Sequence, residues 1–128
     1  MGTFRKLLKS KIQGLRITGK ELYYEGSLEL DSSLLNAADI LPGEMVQVVN
    51  VNNGERFETY VIPGAPGSGS CVLKGAAARL GEIGDMIIVM SIVYLETDRD
   101  AKTGYRMIKV QVDENNRIIS TNSEHRRK

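Results

Sequence analysis

The segment EMVQVVNV at residues 44–51 is followed by NNG at residues 52–54 and by ERFETYVI at residues 55–62. Apolar and polar side chains alternate in both outer segments, which is typical of strands with one buried face. Asn and Gly tolerate positive φ, so Asn53-Gly54 favours a tight turn between the two segments. The pattern predicts a β-hairpin, and we expect the rest of the fold to be built from similar strands.

Further strand patterns lie on both sides of this hairpin, at residues 7–18 (broken by Gly14), 27–30, 71–73, 86–95 and 105–112. Helical patterns are few. One covers residues 33–40, with Asp31 or Ser32 as N-cap and Pro42-Gly43 as its end, and a brief helical turn covers residues 75–80. Many short strands with little helix predict a mainly β fold, a closed barrel, in one domain over residues 1–128.

Two segments carry no such pattern. Residues 96–104 are charged and loop-like. Residues 120–128 are polar throughout, so we expect a frayed, disordered tail there.

The composition excludes several classes of function. A net charge of +1 gives no electrostatic preference for nucleic acid or for an anionic membrane, so neither is expected as a partner. Cys71 is the one cysteine, which permits no internal disulfide and fits a reducing cytoplasm. The one histidine, His125, lies in the predicted tail, so a histidine-based triad or zinc site is not expected, and we predict no metal.

The Gly26-Ser27 dipeptide lies between two predicted strands and follows aromatic and acidic residues. Two other Gly-Ser dipeptides, at residues 67–68 and 69–70, lie in a glycine-rich loop, and each of the three could be a simple turn. A serine hydroxyl can attack the preceding carbonyl to form an ester, and elimination then leaves dehydroalanine, which hydrolyses to a pyruvoyl group. Glycine before the serine permits the strained backbone that this attack needs.

Other candidate residues have ordinary interpretations as well as chemical ones. Strand alternation puts Arg56 and Tyr60 on one face and Thr59 on the other. An arginine and a tyrosine on one face could bind a carboxylate and move a proton, or could be an exposed alternation. Lys11 is a solvated strand residue or a second carboxylate anchor. The small residues at 75–78 form a packed turn, or let backbone amides face an anionic ligand.

Together these segments resemble the pyruvoyl-dependent aspartate 1-decarboxylase family, which supplies β-alanine for pantothenate. The resemblance runs from about residue 7 to residue 94, in order and with the family's spacing. It rests on LKSKI at 8–12, YEGS at 24–27, NGERFETY at 53–60, the glycine-rich loop at 64–70, GAAARL at 75–80 and GD at 84–85.

The resemblance implies roles in self-processing and catalysis. Cleavage after Gly26 would leave a β chain of residues 1–26 and an α chain of residues 27–128. Ser27 would become the pyruvoyl group that forms a Schiff base with the substrate, so that neither a metal nor pyridoxal phosphate is needed. Tyr60 matches the family's proton donor. Thr59 matches a residue that assists self-processing and touches the substrate, and Tyr24 an aromatic residue beside the cleaved bond.

It also implies how L-aspartate is held. Arg56 and Lys11 match basic residues near the substrate carboxylates, and Gly75, Ala76 and Ala77 match a backbone segment that lines the pocket. The implied fold is a double-psi β-barrel, assembled as a cytoplasmic homotetramer with sites between neighbouring subunits.

One departure from the family is visible at Lys74, where many members carry Asn. An ammonium cannot accept the hydrogen bonds that an amide oxygen accepts. A cation here could strengthen acid binding or slow maturation. Two alternatives therefore stay open: an unprocessed, non-catalytic β-barrel binding module, and a pyruvoyl decarboxylase for another acidic amino acid such as glutamate.

Overall fold

The computed structural model describes residues 2–97 and 104–126 of the protein. Nine strands and two short helices make up this part of the chain. The strands are β1 (Phe4–Arg16), β2 (Gly19–Glu21), β3 (Ser27–Asp31), β4 (Met45–Asn50), β5 (Arg56–Gly64), β6 (Cys71–Lys74), β7 (Met86–Glu96), β8 (Tyr105–Val112) and β9 (Ile118–Arg126). The helices are α1 (Ser32–Ala37) and a 3₁₀ helix (Gly75–Leu80).

The first two strands close the sheet into a barrel. The strand order is β2-β6-β3-β5-β4-β7-β1-β8-β9. β1 and β2 are consecutive in the chain, and between them the Ile17 N–H donates to the Asp85 carbonyl at 2.9 Å and the Thr18 N–H to the Cys71 carbonyl at 2.8 Å. One extended segment thus pairs with β7 at its start and with β6 at its end, which joins the two ends of the run β6-β3-β5-β4-β7.

The predicted mainly β barrel with short helices is confirmed. Parallel pairings of β3 with β5 and of β2 with β6 interrupt an otherwise antiparallel ring, which is consistent with the double-psi topology. The strand β8 joins the outside of this ring by pairing in parallel with β1. The barrel interior is filled by aliphatic side chains from almost every strand, among them Ile12, Leu28, Val48, Val61, Leu73 and Val89.

The structure differs from the sequence expectation at three places. The predicted frayed tail is wrong for residues 120–126, because β9 pairs antiparallel with β8 as far as Arg126. The short strand β2 was not predicted at all. The first helix begins as expected, with the Asp31 carboxylate accepting from the Ser33 N–H, but it ends at Ala37, and Asp39 then adopts a left-handed φ of 56°.

Candidate functional site

Ser27 begins β3, and its hydroxyl is buried without a hydrogen-bond partner. The residue is 0% exposed. Among the side chains of the described residues, only Ser10 Oγ and Ser27 Oγ are buried polar atoms in this state. Burying a hydroxyl unpaired costs free energy, and such groups in a native fold call for a functional or structural explanation.

The backbone on either side of this hydroxyl is held in conformations that favour glycine. Gly26 has a φ of +61°, and Gly75, at the start of the 3₁₀ helix, has a φ of +68°. Gly75 packs directly against the backbone of Gly26 and the carbonyl of Tyr24. The residue before the Gly26-Ser27 peptide bond is therefore in direct contact with the start of the 3₁₀ helix.

A cavity of about 200 Å³ opens beside this bond. Four residues that the sequence singled out line it: Gly26, Thr59, Ala76 and Ala77. Small side chains on the 3₁₀ helix leave this space free, since a larger residue there would fill it.

Tyr60 lies beside Ser27 across the parallel pair of β3 and β5. Leu28 pairs with Val61, and Ser27 and Tyr60 each precede a member of that pair. Leu28 and Val61 are both 0% exposed and face the core. Because side chains alternate along a strand, Ser27 and Tyr60 share the opposite face, and Tyr60 itself does not line the cavity.

Neither predicted carboxylate anchor lines this cavity, although Arg56 immediately precedes two residues that do, Phe57 and Glu58. Arg56 is exposed at the start of β5, where it pairs with Val49. Lys11 lies on β1 between Met90 and Lys109. The strands β7 and β4 separate β1 from β5, which amounts to a distance on the order of 14 Å along the sheet.

Lys74, where the resemblance leads us to expect Asn, is 7% exposed and is the antiparallel partner of Ser27. Its Nζ lies 3.1 Å from Glu29 Oε1, 3.8 Å from Glu21 Oε2 and 4.3 Å from the centroid of the Tyr24 ring. Burial alone would lower the pKa of Lys74, but the hydrogen bond and charge of Glu29, with the charge of Glu21, outweigh it and raise the pKa. The ammonium is thus held charged.

Sequence reasoning missed several members of this site. Phe57, Glu58 and Leu80 also line the cavity. Phe57 could have been found, because strand alternation places it on the same face as Thr59. Glu29 could also have been found, because it is the one charged residue in the predicted strand SLEL at residues 27–30. No local sequence pattern predicts the ion pair between Glu29 and Lys74, because the two residues lie far apart in the sequence.

Two further properties bear on the class of site. Within residues 2–97 and 104–126, no group of three or more His, Cys, Asp or Glu side chains is arranged to hold a metal ion. Over the same residues, no helix has the length and apolar character needed to cross a membrane.

Comparison with known proteins gives a consistent family match. A sequence model of the family described as aspartate decarboxylase matches residues 3–119. A protein named aspartate 1-decarboxylase from Caldicellulosiruptor saccharolyticus is 51% identical over 122 residues, covering 94% of this chain and 94% of the relative. Relatives of the same name from Sulfurihydrogenibium sp. and Listeria monocytogenes are 48% and 50% identical, covering 94% and 90% of this chain and 89% of each relative.

Proposed function

The chain belongs to the aspartate decarboxylase family, and we propose that it removes CO₂ from L-aspartate to give β-alanine for pantothenate synthesis. An enzyme of the aspartate 1-decarboxylase type is what the family match and the names of the relatives support. We further propose that it acts in the cytoplasm, where its single cysteine needs no disulfide partner.

We propose that the chain first cuts itself between Gly26 and Ser27. The Ser27 Oγ attacks the Gly26 carbonyl carbon, the hydroxyl proton passes to the departing peptide nitrogen, and an ester replaces the amide. Loss of the Ser27 Cα proton then expels the Gly26 carboxylate and leaves a carbon–carbon double bond at position 27. Addition of one water and release of one ammonia convert that residue to a ketone, the pyruvoyl group.

The buried, unpartnered Ser27 hydroxyl is the single observation that carries this proposal. A hydroxyl without a competing hydrogen bond is free to turn toward the carbonyl. The left-handed φ of Gly26 and the close packing of Gly75 support it, because they fix a tight turn at the bond that is attacked.

The residues around position 27 fit a pyruvoyl group. Such a group supplies an electron-withdrawing carbonyl that stabilises the negative charge left on the substrate Cα when CO₂ departs. Ala76, Ala77 and Thr59 would line the space beside it. A water molecule takes about 30 Å³ in the liquid, so a cavity of about 200 Å³ can admit a small amino acid.

The remaining roles belong to polar side chains of the strands. Tyr60, on the face shared with Ser27, would donate a proton to the substrate Cα after CO₂ is lost. Arg56 would hold a carboxylate through two parallel hydrogen bonds and so fix the orientation of the substrate. Lys11 is too far round the barrel to serve the same site. We therefore propose that a neighbouring copy supplies Lys11 to each site, within the homotetramer that the resemblance implies.

The test is CO₂ release from purified protein supplied with aspartate or with glutamate. We expect release from aspartate by the wild type and none by a Ser27→Ala variant. Release from glutamate at an equal rate would contradict the proposed substrate. Absence of CO₂ from both amino acids would contradict the proposed function.

A further inference from the structure

The Lys74 ammonium is surrounded by groups from three different parts of the chain. Glu21 comes from β2, Tyr24 from the segment after it, and Glu29 from β3. The distances of 3.1 Å to Glu29, 3.8 Å to Glu21 and 4.3 Å to the Tyr24 ring put all three in direct reach of Nζ. Two carboxylates and the negative face of an aromatic ring each attract a cation.

These contacts lie on both sides of the bond that the chain is proposed to cut. Glu21 and Tyr24 precede that bond, whereas Glu29 and Lys74 follow it. Ser27 itself is the register partner of Lys74. The ammonium therefore ties the segment that carries the reacting carbonyl to the sheet that carries the reacting hydroxyl.

The geometry distinguishes between the possible roles of this cation. A substrate anchor needs a charge that faces the cavity, but Lys74 is absent from the cavity lining and its charge is already matched by Glu29 and Glu21. A base for the Ser27 hydroxyl needs a neutral amine, but the raised pKa keeps this amine protonated. The remaining role for the Lys74 ammonium is to hold the segment before the Gly26-Ser27 bond in position.

We propose that Lys74 is a positioning residue for self-cleavage: through Tyr24 and Glu21, its ammonium holds residues 22–26 so that the Gly26 carbonyl stays within reach of Ser27 Oγ. This inference rests on the self-cleavage proposed above. Without the cation, Glu21 and Glu29 repel each other and the Tyr24 ring loses its partner. Residues 22–26 then sample more conformations, and fewer of them bring carbonyl and hydroxyl together.

The experiment follows cleavage from the moment of synthesis. The full chain is made in a short cell-free pulse, and the cut fraction is read by intact mass spectrometry at intervals. We expect Lys74→Met, which keeps the aliphatic stem and loses the charge, to cleave about tenfold more slowly than the wild type. Lys74→Arg keeps the charge, and we expect it to cleave within about twofold of the wild-type rate.

A matched control comes from a second, partly buried ion pair. Lys9 Nζ, on β1, lies 3.1 Å from Glu44 Oε2, and neither residue belongs to the segment around the Gly26-Ser27 bond. Lys9→Met removes a pair of the same length, so a loss of cleavage due only to lower stability would occur there too. We expect this variant to cleave at the wild-type rate. Should Lys74→Met fail to fold, Tyr24→Leu and Tyr24→Phe make the same comparison, with slow cleavage expected for Leu alone.

A second measurement separates positioning from substrate binding. Matured Lys74→Met protein should decarboxylate aspartate with the wild-type KM, counted per cut chain. A raised KM would overturn the inference, since it would make Lys74 a substrate anchor. Wild-type cleavage kinetics in Lys74→Met would also overturn it, and would leave the proposed function intact. A wild type that never cuts would overturn both.

Discussion

A methyl group on Gly75 would overlap the backbone of Gly26. A Cβ built there lies 2.5 Å from both Gly26 Cα and Gly26 N, and 2.8 Å from the Tyr24 carbonyl oxygen. Real Cβ atoms do not approach other atoms so closely, and the neighbours here are backbone atoms just before the bond that we propose is cut. The position of the Gly26 carbonyl thus depends on the absence of a side chain at residue 75.

We therefore expect Gly75→Ala to block self-cleavage and to lower stability. The left-handed φ of +68° costs about 1 kcal/mol for alanine, and the overlap adds to it. Gly43→Ala is the control, because Gly43 has a φ of +88° but no atom lies within 4 Å of the place that a Cβ would take there. It should lose similar stability from strain and still be cut. Equal cleavage in both variants, measured by intact mass, would refute the role of the contact.

The two unpartnered buried hydroxyls should respond differently to removal. Ser10→Ala and Ser27→Ala each delete a hydroxyl that is buried without a hydrogen bond, so each should raise the free energy of unfolding by about 1 kcal/mol. Chemical denaturation measures this gain. For Ser27→Ala the comparison is made in the uncut Gly75→Ala background, between the Gly75→Ala chain and the same chain with Ser27→Ala added. Only Ser27→Ala should stop cleavage. A Ser10→Ala chain that also stays whole would show that the effect is not specific to the cut bond.

Acid should loosen the glycine-rich loop through Asp31. This buried carboxylate accepts hydrogen bonds from the N–H groups of Ser33, Gly67 and Gly69 and from the Ser33 hydroxyl, at 2.9, 3.0, 2.8 and 2.6 Å. Burial would raise the pKa of Asp31, but these hydrogen bonds outweigh it and lower the pKa below its ordinary value of 3.8. The carboxylate is therefore more easily ionised in the folded protein than in the unfolded chain.

Because the pKa of Asp31 is lower in the folded protein, its carboxylate stabilises the fold at neutral pH and less in acid. The stabilisation is complete above the unfolded pKa and is lost as the pH falls through the lowered folded pKa. At pH 7, Asp31→Asn should be about 1–2 kcal/mol less stable than the wild type. Melting temperatures should converge as the pH drops below about 4. Melting curves that stay equally far apart down to pH 2 would argue against this carboxylate as the source.

Complementation between inactive chains would test whether sites form between copies. Lys11→Ala and Ser27→Ala should each be inactive alone. Co-expressed, they should recover about a quarter of the activity, because random pairing gives some sites an intact Ser27 and an intact neighbouring Lys11. Ser27→Ala with Tyr60→Phe is the control. Ser27 and Tyr60 lie on adjacent strands of one chain, so co-expression of these two variants should recover no activity. Recovered activity would contradict the proposal that Ser27 and Tyr60 of one chain serve the same site.

Much of the fold was predictable because its signals are local. The hairpin of β4 and β5 follows from alternation and from the Asn-Gly turn, and the start of α1 follows from the ability of Asp31 to cap a helix. The strands β2 and β9 were missed for a physical reason. Both are largely polar, and their extended conformation depends on pairing with β6 and with β8 rather than on burial of their own side chains.

The site was predictable in part. Resemblance to the family located Gly26, Thr59, Ala76 and Ala77, which meet at one cavity. Local patterns could not show that Gly75 presses on Gly26, or that Lys74 binds Glu29, because those contacts depend on how distant strands pair. The proposed supply of Lys11 by a neighbouring copy depends on a further step, the assembly of several copies, which no local pattern specifies.

Self-cleavage is tested most sharply by the mass of the purified, denatured protein. We expect two polypeptides, one ending at Gly26 and one beginning at position 27, with the second lacking a free N-terminal amine. A single unbroken species of 14.1 kDa with an unmodified Ser27 would contradict self-cleavage and every role built on it.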